Sequence, residues 1–214
     1  MLLHRCIDHT LLNPVATVGA IKNLCTEAKE HHFYAVCVNS YYIGLAKSEL
    51  MHTDINIAAV VGFPLGAMDT KAKVYEAKQS INQGADEIDM VLNIGVLKSG
   101  YHTIVEEEIR AIKKSIGDHT LKVIFENCYL TDEEKKIACR LSINAGADFI
   151  KTSTGFGPSG ATLNDVILMK KEVQDYIKIK VSGGIRNLQT AKQYIDLGAS
   201  RIGTSSGVTI VTSA

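Results

Sequence analysis

Two lysines and an aspartate stand inside apolar runs, where charge is least expected. Lys151 lies in ADFIKTSTGFGPSG between Ile150 and Thr152, Lys180 lies in IKIKVSGG, and Asp89 lies in GADEIDMV. A buried ammonium is costly unless it is paired or neutralised. Lys151 alone would read better as a strand-end lysine whose amine reaches solvent while its stem packs on Phe149 and Ile150. Lys180 changes that reading, because adjacent parallel strands run ~4.8 Å apart and bring two strand-end lysines within range of each other. Like charge and partial desolvation both lower a lysine pKa. A partly neutral amine is a nucleophile suited to forming a Schiff base with a carbonyl. Asp89 would then transfer protons or orient a water. Lys178 shares a face with Lys180 by strand alternation but lies earlier in the strand, which suits a structural or exposed role.

These residues need a frame that brings several strand ends together. Strand-like runs recur along the chain as CIDHT, AVCVNS, INIAAVVGF, DEIDMVLN, LKVIFEN, FIKTST, IKIKVSG and RIGTSS. Most are continuous rather than alternating, as parallel strands covered on both faces should be. Amphipathic stripes fill the gaps: Ile21, Leu24, Cys25 and Ala28; Val105, Ile109, Ile112 and Ile116; Leu188, Ala191 and Ile195. Thr131 with Glu134 reads as a capping box, Thr162 with Asp165 resembles one, and Asn187 reads as an N-cap. Three helix-to-strand joints nearly repeat, at Gly84, Gly146 and Gly198, and place Asp89, Lys151 and Gly203 in matching register. The pattern predicts one (β/α)₈ barrel domain over residues 1–214, with an open doubly wound sheet as the alternative. A barrel builds its active site at the C-terminal strand ends. Asp8, Cys37, Asp89, Glu126, Lys151, Lys180 and the serines of GTSSG are expected there.

The glycine-rich stretches divide into a cradle and a decoy. GFGPSG, residues 155–160, satisfies G-x-G-x-x-G, but Pro158 interrupts it and the expected N-cap, Thr162, falls beyond the last glycine. A nicotinamide or flavin site needs those glycines inside the strand-to-helix turn, so none is expected. A phosphate monoester fits better. Barrels frequently hold phosphate with the loops after strands seven and eight, here SGGIRN and GTSSG. Their glycines admit an anion to the backbone amides, and the serines add donors. Arg186 either adds charge or faces solvent at a helix start.

Composition narrows the field further. The chain has 214 residues, 46% of them hydrophobic, with 23 Lys plus Arg against 23 Asp plus Glu. That is enough for one buried core, and the balanced charge points to neither a nucleic-acid surface nor an acidic tail. The apolar run INIAAVVGF is too short to span a bilayer, and His4, Arg5 and Asp8 interrupt any secretory signal. Five scattered cysteines without C-x-x-C, and histidines without metal-ligand spacing, favour a reducing cytoplasm and no metal site.

Taken in order, IDHTLL, VCVN, VGFPLGA, GADEIDMV, FIKTSTGF, KVSGGIR and RIGTSSG resemble the DeoC-type class I aldolases, the deoxyribose-phosphate aldolases, nearly end to end. The resemblance implies a barrel that reversibly cleaves 2-deoxy-D-ribose 5-phosphate to D-glyceraldehyde 3-phosphate and acetaldehyde, in deoxyribose catabolism, with no metal or other cofactor. By motif, Lys151 would form the Schiff base, Lys180 would depress its pKa and share proton transfer, and Asp89 would complete the relay. Gly155, Gly183, Gly184, Gly203, Ser205 and Ser206 would hold the phosphate, with Asp8 and Cys37 near the same pocket. A homodimer is implied as well. Asn127 stands where many relatives carry threonine, and Phe156 where some carry lysine. A different Schiff-base barrel, such as a transaldolase or a ketose-phosphate aldolase, and a non-catalytic sugar-phosphate binder are the competing readings.

Overall fold

Strand and helix alternate through the chain because largely apolar runs of three to six residues give way, at glycine or at a capping side chain, to stripes of helical period. The computed structural model describes residues 2–213. The strands are β1 (Ile7–Leu11), β2 (Ala35–Val38), β3 (Asn56–Val61), β4 (Glu87–Val91), β5 (Thr120–Ile124), β6 (Phe149–Lys151), β7 (Lys178–Ser182) and β8 (Arg201–Thr204). Between them run α1 (Val18–Glu30), α2 (Ile43–Glu49), α3 (Thr70–Asn82), α4 (Ile94–Lys98), α5 (His102–Ile116), α6 (Asp132–Asn144), α7 (Leu163–Val173) and α8 (Leu188–Asp196), and α9 (Gly207–Thr212) follows β8. Every neighbouring pair is parallel, and β8 pairs with β1, so the sheet closes in sequence order. The open-sheet alternative is thereby excluded.

The stripes read from the sequence become the helix faces that cover the barrel. Ile21, Leu24, Cys25 and Ala28 of α1 and Val105, Ile109, Ile112 and Ile116 of α5 are buried. In α8, Ala191 and Tyr194 are buried, while Leu188 and Ile195 are only partly so. Capping boxes form at Thr131–Glu134 and Thr162–Asp165, and Asn187 caps α8. Each such cap is worth ~1 kcal/mol. Gly84, Gly146 and Gly198 take φ of 106°, 80° and 100°, letting the chain reverse from helix into strand at the repeated joints.

Parity divides each strand between two cores. Outward residues such as Val36, Ile57, Ile88, Met90, Val123, Ile150, Val181 and Ile202 pack beneath the helices. The inward residues stack in layers drawn from alternate strands, as barrel stagger requires. The register groups Cys37, Asp89, Lys151 and Gly203 in one layer, from β2, β4, β6 and β8. Asp8, Ala58, Lys122 and Lys180 lie in the layer beneath, and Ala35, Glu87, Phe149 and Arg201 at the bottom. The matching register of Asp89, Lys151 and Gly203 read from the glycine joints is therefore real.

Candidate active site

An ordinary barrel fills its inward layers with branched apolar side chains. Here Leu12, Cys37, Ala58 and Val60, with Phe63 against them, form a small apolar group inside. Much of the remaining interior is ionic. Starting at the bottom, Arg201 donates to Glu87 Oε1 at 3.3 Å and to Asp8 Oδ1 at 2.6 Å. Asp8 also pairs with Lys180. Lys180 Nζ reaches Asp89 Oδ2 at 2.8 Å, and Asp89 Oδ1 accepts from Lys122 Nζ at 2.7 Å. Lys122 lies 2.5 Å from Glu87 Oε2, which closes the circuit. The order Glu87–Lys122–Asp89–Lys180–Asp8–Arg201 is a ring of alternating charge, with every member at most 5% exposed.

Burial works against each charge in this ring, and the neighbours overrule it. Desolvation alone would raise the Asp8 carboxyl, but Lys180, Arg201 and Lys122 together hold it down at about 2. Asp89 is likewise raised by burial and drawn well below the usual carboxylate range by Lys122, Lys151 and Lys180. Burial would strip the protons from Lys180 and Lys122, yet Asp8 with Asp89, and Asp89 with Glu87, keep both held more firmly than in a free lysine. The Arg201 guanidinium is stabilised in the same way by Asp8 and Glu87. It also lies 3.4 Å from the centre of the Tyr34 ring, a cation–π contact at the lower end.

Lys151 is the seventh charge, attached to the ring at one point. Its amine donates to Asp89 Oδ2 at 2.8 Å, and the residue is 2% exposed. Above it opens a cavity of about 480 Å³. Lys151 forms part of the floor, and Thr10, Leu12, Phe156, Ile185 and Arg186 are among the walls. Gly155, Gly183, Gly184, Gly203 and Ser205 also line it. The loops after β6 and β7 meet backbone to backbone: a side chain on Gly160 would collide with the Gly183 carbonyl. GFGPSG is a decoy in space too, since α7 begins at Leu163, after its Thr162 cap.

Four sequence expectations change. Asp8 is the second residue of β1, wholly buried and bound to Lys180 and Arg201, so it supports the floor instead of lining the pocket. Cys37 is also fully buried, with its thiol raised by desolvation, and packs in the small apolar group within the barrel. Ser206 stands outside the cavity lining, its N–H donated to Thr204 Oγ1 at 2.9 Å. Lys180 is not a bare like charge beside Lys151, because Asp8 and Asp89 neutralise it. Lys178 is exposed, near the Phe149 ring. Glu87, Lys122 and Arg201 went unremarked in the sequence reading. Their signal was the period of two in EIDMV, KVI and RIGT, which turns each of them inward. Asn127 is buried away from the cavity, donating to Met169 Sδ, whereas Phe156 packs edge-on to Phe63 at the mouth.

Comparison with known proteins shows the family to which this barrel belongs. The profile of the DeoC/LacD family aldolases matches residues 3–213. A deoxyribose-phosphate aldolase of Brevibacillus brevis is 51% identical over 214 residues, covering 100% of this chain and 97% of its own. One from Thermoanaerobacter sp. is 51% identical over 99% of this chain and 96% of its own. Among solved structures, an aldolase designated QR15 superposes with a TM-score of 0.95 at 43% identity, covering 99% of this chain and 95% of its own. A deoxyribose phosphate aldolase from Aeropyrum pernix, described as a unique tetramer, superposes at 0.88 with 31% identity, over 99% and 90%. With a full-length family match and relatives at half identity, the chain belongs to the DeoC/LacD family of aldolases.

Proposed function

We propose that the protein cleaves 2-deoxy-D-ribose 5-phosphate reversibly to D-glyceraldehyde 3-phosphate and acetaldehyde, through a Schiff base on Lys151. The observation that carries this reading is the charge count beneath the cavity. Asp8, Glu87 and Asp89 balance Lys122, Lys180 and Arg201, leaving Lys151 as the one cation without a carboxylate of its own. It is also the one member that reaches the cavity. Neutral Lys151 leaves the cluster balanced, and an iminium on Lys151 would meet the same Asp89 oxygen that now accepts its amine.

In this reading the amine of Lys151 adds to C1 of the open-chain sugar, and water leaves to give the iminium. A base takes the proton of the C3 hydroxyl, the C2–C3 bond breaks, and its electron pair moves into the enamine. Glyceraldehyde 3-phosphate departs. Protonation at C2 and hydrolysis then release acetaldehyde and the free amine. Asp89 is held so far ionised that it makes a poor resting base, which favours a role in orienting water and steadying the cations. The phosphate would lie by Gly155, Gly183, Gly184 and Ser205, and Arg186 on the same wall supplies positive charge. Binding energy from that remote group orients the reacting carbon.

The reading includes a homo-oligomer in the cytoplasm, testable by light scattering and fractionation; no helix among the described residues is long and apolar enough to cross a membrane. Borohydride with acetaldehyde should add one ethyl group to the wild-type protein and none to Lys151→Ala. An adduct that persists in Lys151→Ala would move the Schiff base elsewhere. A transaldolase or ketose-phosphate aldolase would fail to release acetaldehyde from deoxyribose 5-phosphate, and a binding protein would bind it without turnover.

A further inference from the structure

Glu126 follows β5 with a left-handed backbone, φ 54° and ψ 64°. Residues other than glycine hold that conformation only where their surroundings impose it. Its side chain is not in the cavity wall, and the residue is 2% exposed. Both carboxylate oxygens are engaged by one residue: Oε1 accepts the Thr154 N–H at 3.2 Å, and Oε2 accepts the Thr154 hydroxyl. That hydroxyl accepts in turn from the Phe156 N–H at 3.0 Å. Gly157 completes the wrap, since a Cβ there would stand 3.1 Å from Glu126 Cδ and 2.8 Å from Cys128 Sγ.

These bonds use the amides on either side of Gly155. The Gly155 N–H has no protein acceptor among the described residues, and Gly155 lines the cavity with φ 87°. The β8 loop repeats the device. Thr204 donates its hydroxyl to the Ile185 carbonyl and accepts the Ser206 N–H, again leaving the intervening amide, at Ser205, without a protein acceptor among the described residues. Two threonine hubs thus each occupy one amide and leave another on the cavity wall.

We infer that Glu126 is a positioning residue for the phosphate end of the substrate, acting through Thr154 to hold the β6 loop with the Gly155 amide open to an anion. The inference rests on the function proposed above. Glu126 has no contact with the reacting carbons in this arrangement, so its effect is on discrimination between phosphorylated and unphosphorylated sugar. Glu126→Gln keeps the size but turns an amide nitrogen toward one of the two Thr154 donors.

The measurement is kcat/KM for 2-deoxyribose 5-phosphate relative to 2-deoxyribose. In Glu126→Gln this ratio should fall about tenfold, chiefly through KM for the phosphorylated sugar. A ratio equal to wild type, even with a lowered melting temperature, makes Glu126 merely structural and overturns the inference. Should that variant not fold, Thr154→Val, which removes the hub, should lose discrimination that Thr154→Ser restores. Equal ratios in that pair overturn the inference as well. Wild-type protein that neither turns over the sugar phosphate nor is trapped with acetaldehyde would instead refute the proposed function.

Discussion

Lys151 and Lys180 present their amines to one oxygen, each 2.8 Å from Asp89 Oδ2. They are coupled through a shared counter-ion more than by bare repulsion. Removing Lys180 would leave Asp89 Oδ2 to Lys151 alone. Lys180→Met should therefore slow borohydride trapping at neutral pH, because the freed carboxylate holds the Lys151 amine more tightly. A trapping profile that overlays the wild type would contradict this coupling.

The bottom of the ring offers a test that avoids the cavity. Glu87→Gln and Arg201→Met each leave a buried charge short of its partner, a defect that typically costs ~3–5 kcal/mol. Combining the two restores the balance of charge. Urea unfolding should show the double variant more stable than the single losses sum to, with a coupling of ~1–3 kcal/mol. Additive losses would mean the two groups are independent.

Acid should dismantle the ring from its carboxylates. In the unfolded chain, Asp8 and Asp89 ionise near 4, whereas folded Asp8 is held at about 2 and Asp89 well below its usual range. The folded state therefore binds fewer protons between those values. The stability this confers is complete above about pH 4 and drains away as the pH falls through about 2. Urea midpoints measured down that interval should drop steadily, and a flat series would show the two carboxylates to be unperturbed.

Gly203 leaves room for the stem of Lys180. A Cβ there would lie 3.0 Å from Lys180 Cε and 3.0 Å from Ser182 Cβ, tight enough that something must give. Gly203→Ala should cost ~1–3 kcal/mol of stability. It should also displace the Lys180 amine from Asp89, lowering kcat more than it raises KM. Wild-type kcat in a folded Gly203→Ala protein would show that Lys180 tolerates the shift.

Much of the frame was readable because local chemistry dictates it. The Thr131–Glu134 and Thr162–Asp165 boxes, the α1 and α5 stripes and the glycine joints depend on residues close in sequence, and all are present. Lys151 and Lys180 drew notice because they break apolar runs. Asp8 was misread because its partners, Lys180 and Arg201, come from the far end of the chain, and only barrel closure brings them beside β1. Lys122 drew no notice for the same reason: nothing local reveals that Asp89 and Glu87 meet it inside. Glu126 was visible as a strand-end acid, but its left-handed turn onto Thr154 depends on the β6 loop folding back over it.

Arg201 against Tyr34, with the buried ionic ring above them, fills the barrel beneath Lys151, while the cavity opens on the other side of that amine. On the proposed Schiff-base route, the phosphate-bearing product would stand nearer the mouth while acetaldehyde stayed tethered to the floor. Order of release would then be a matter of queueing, set by depth in the vessel before any chemistry is considered.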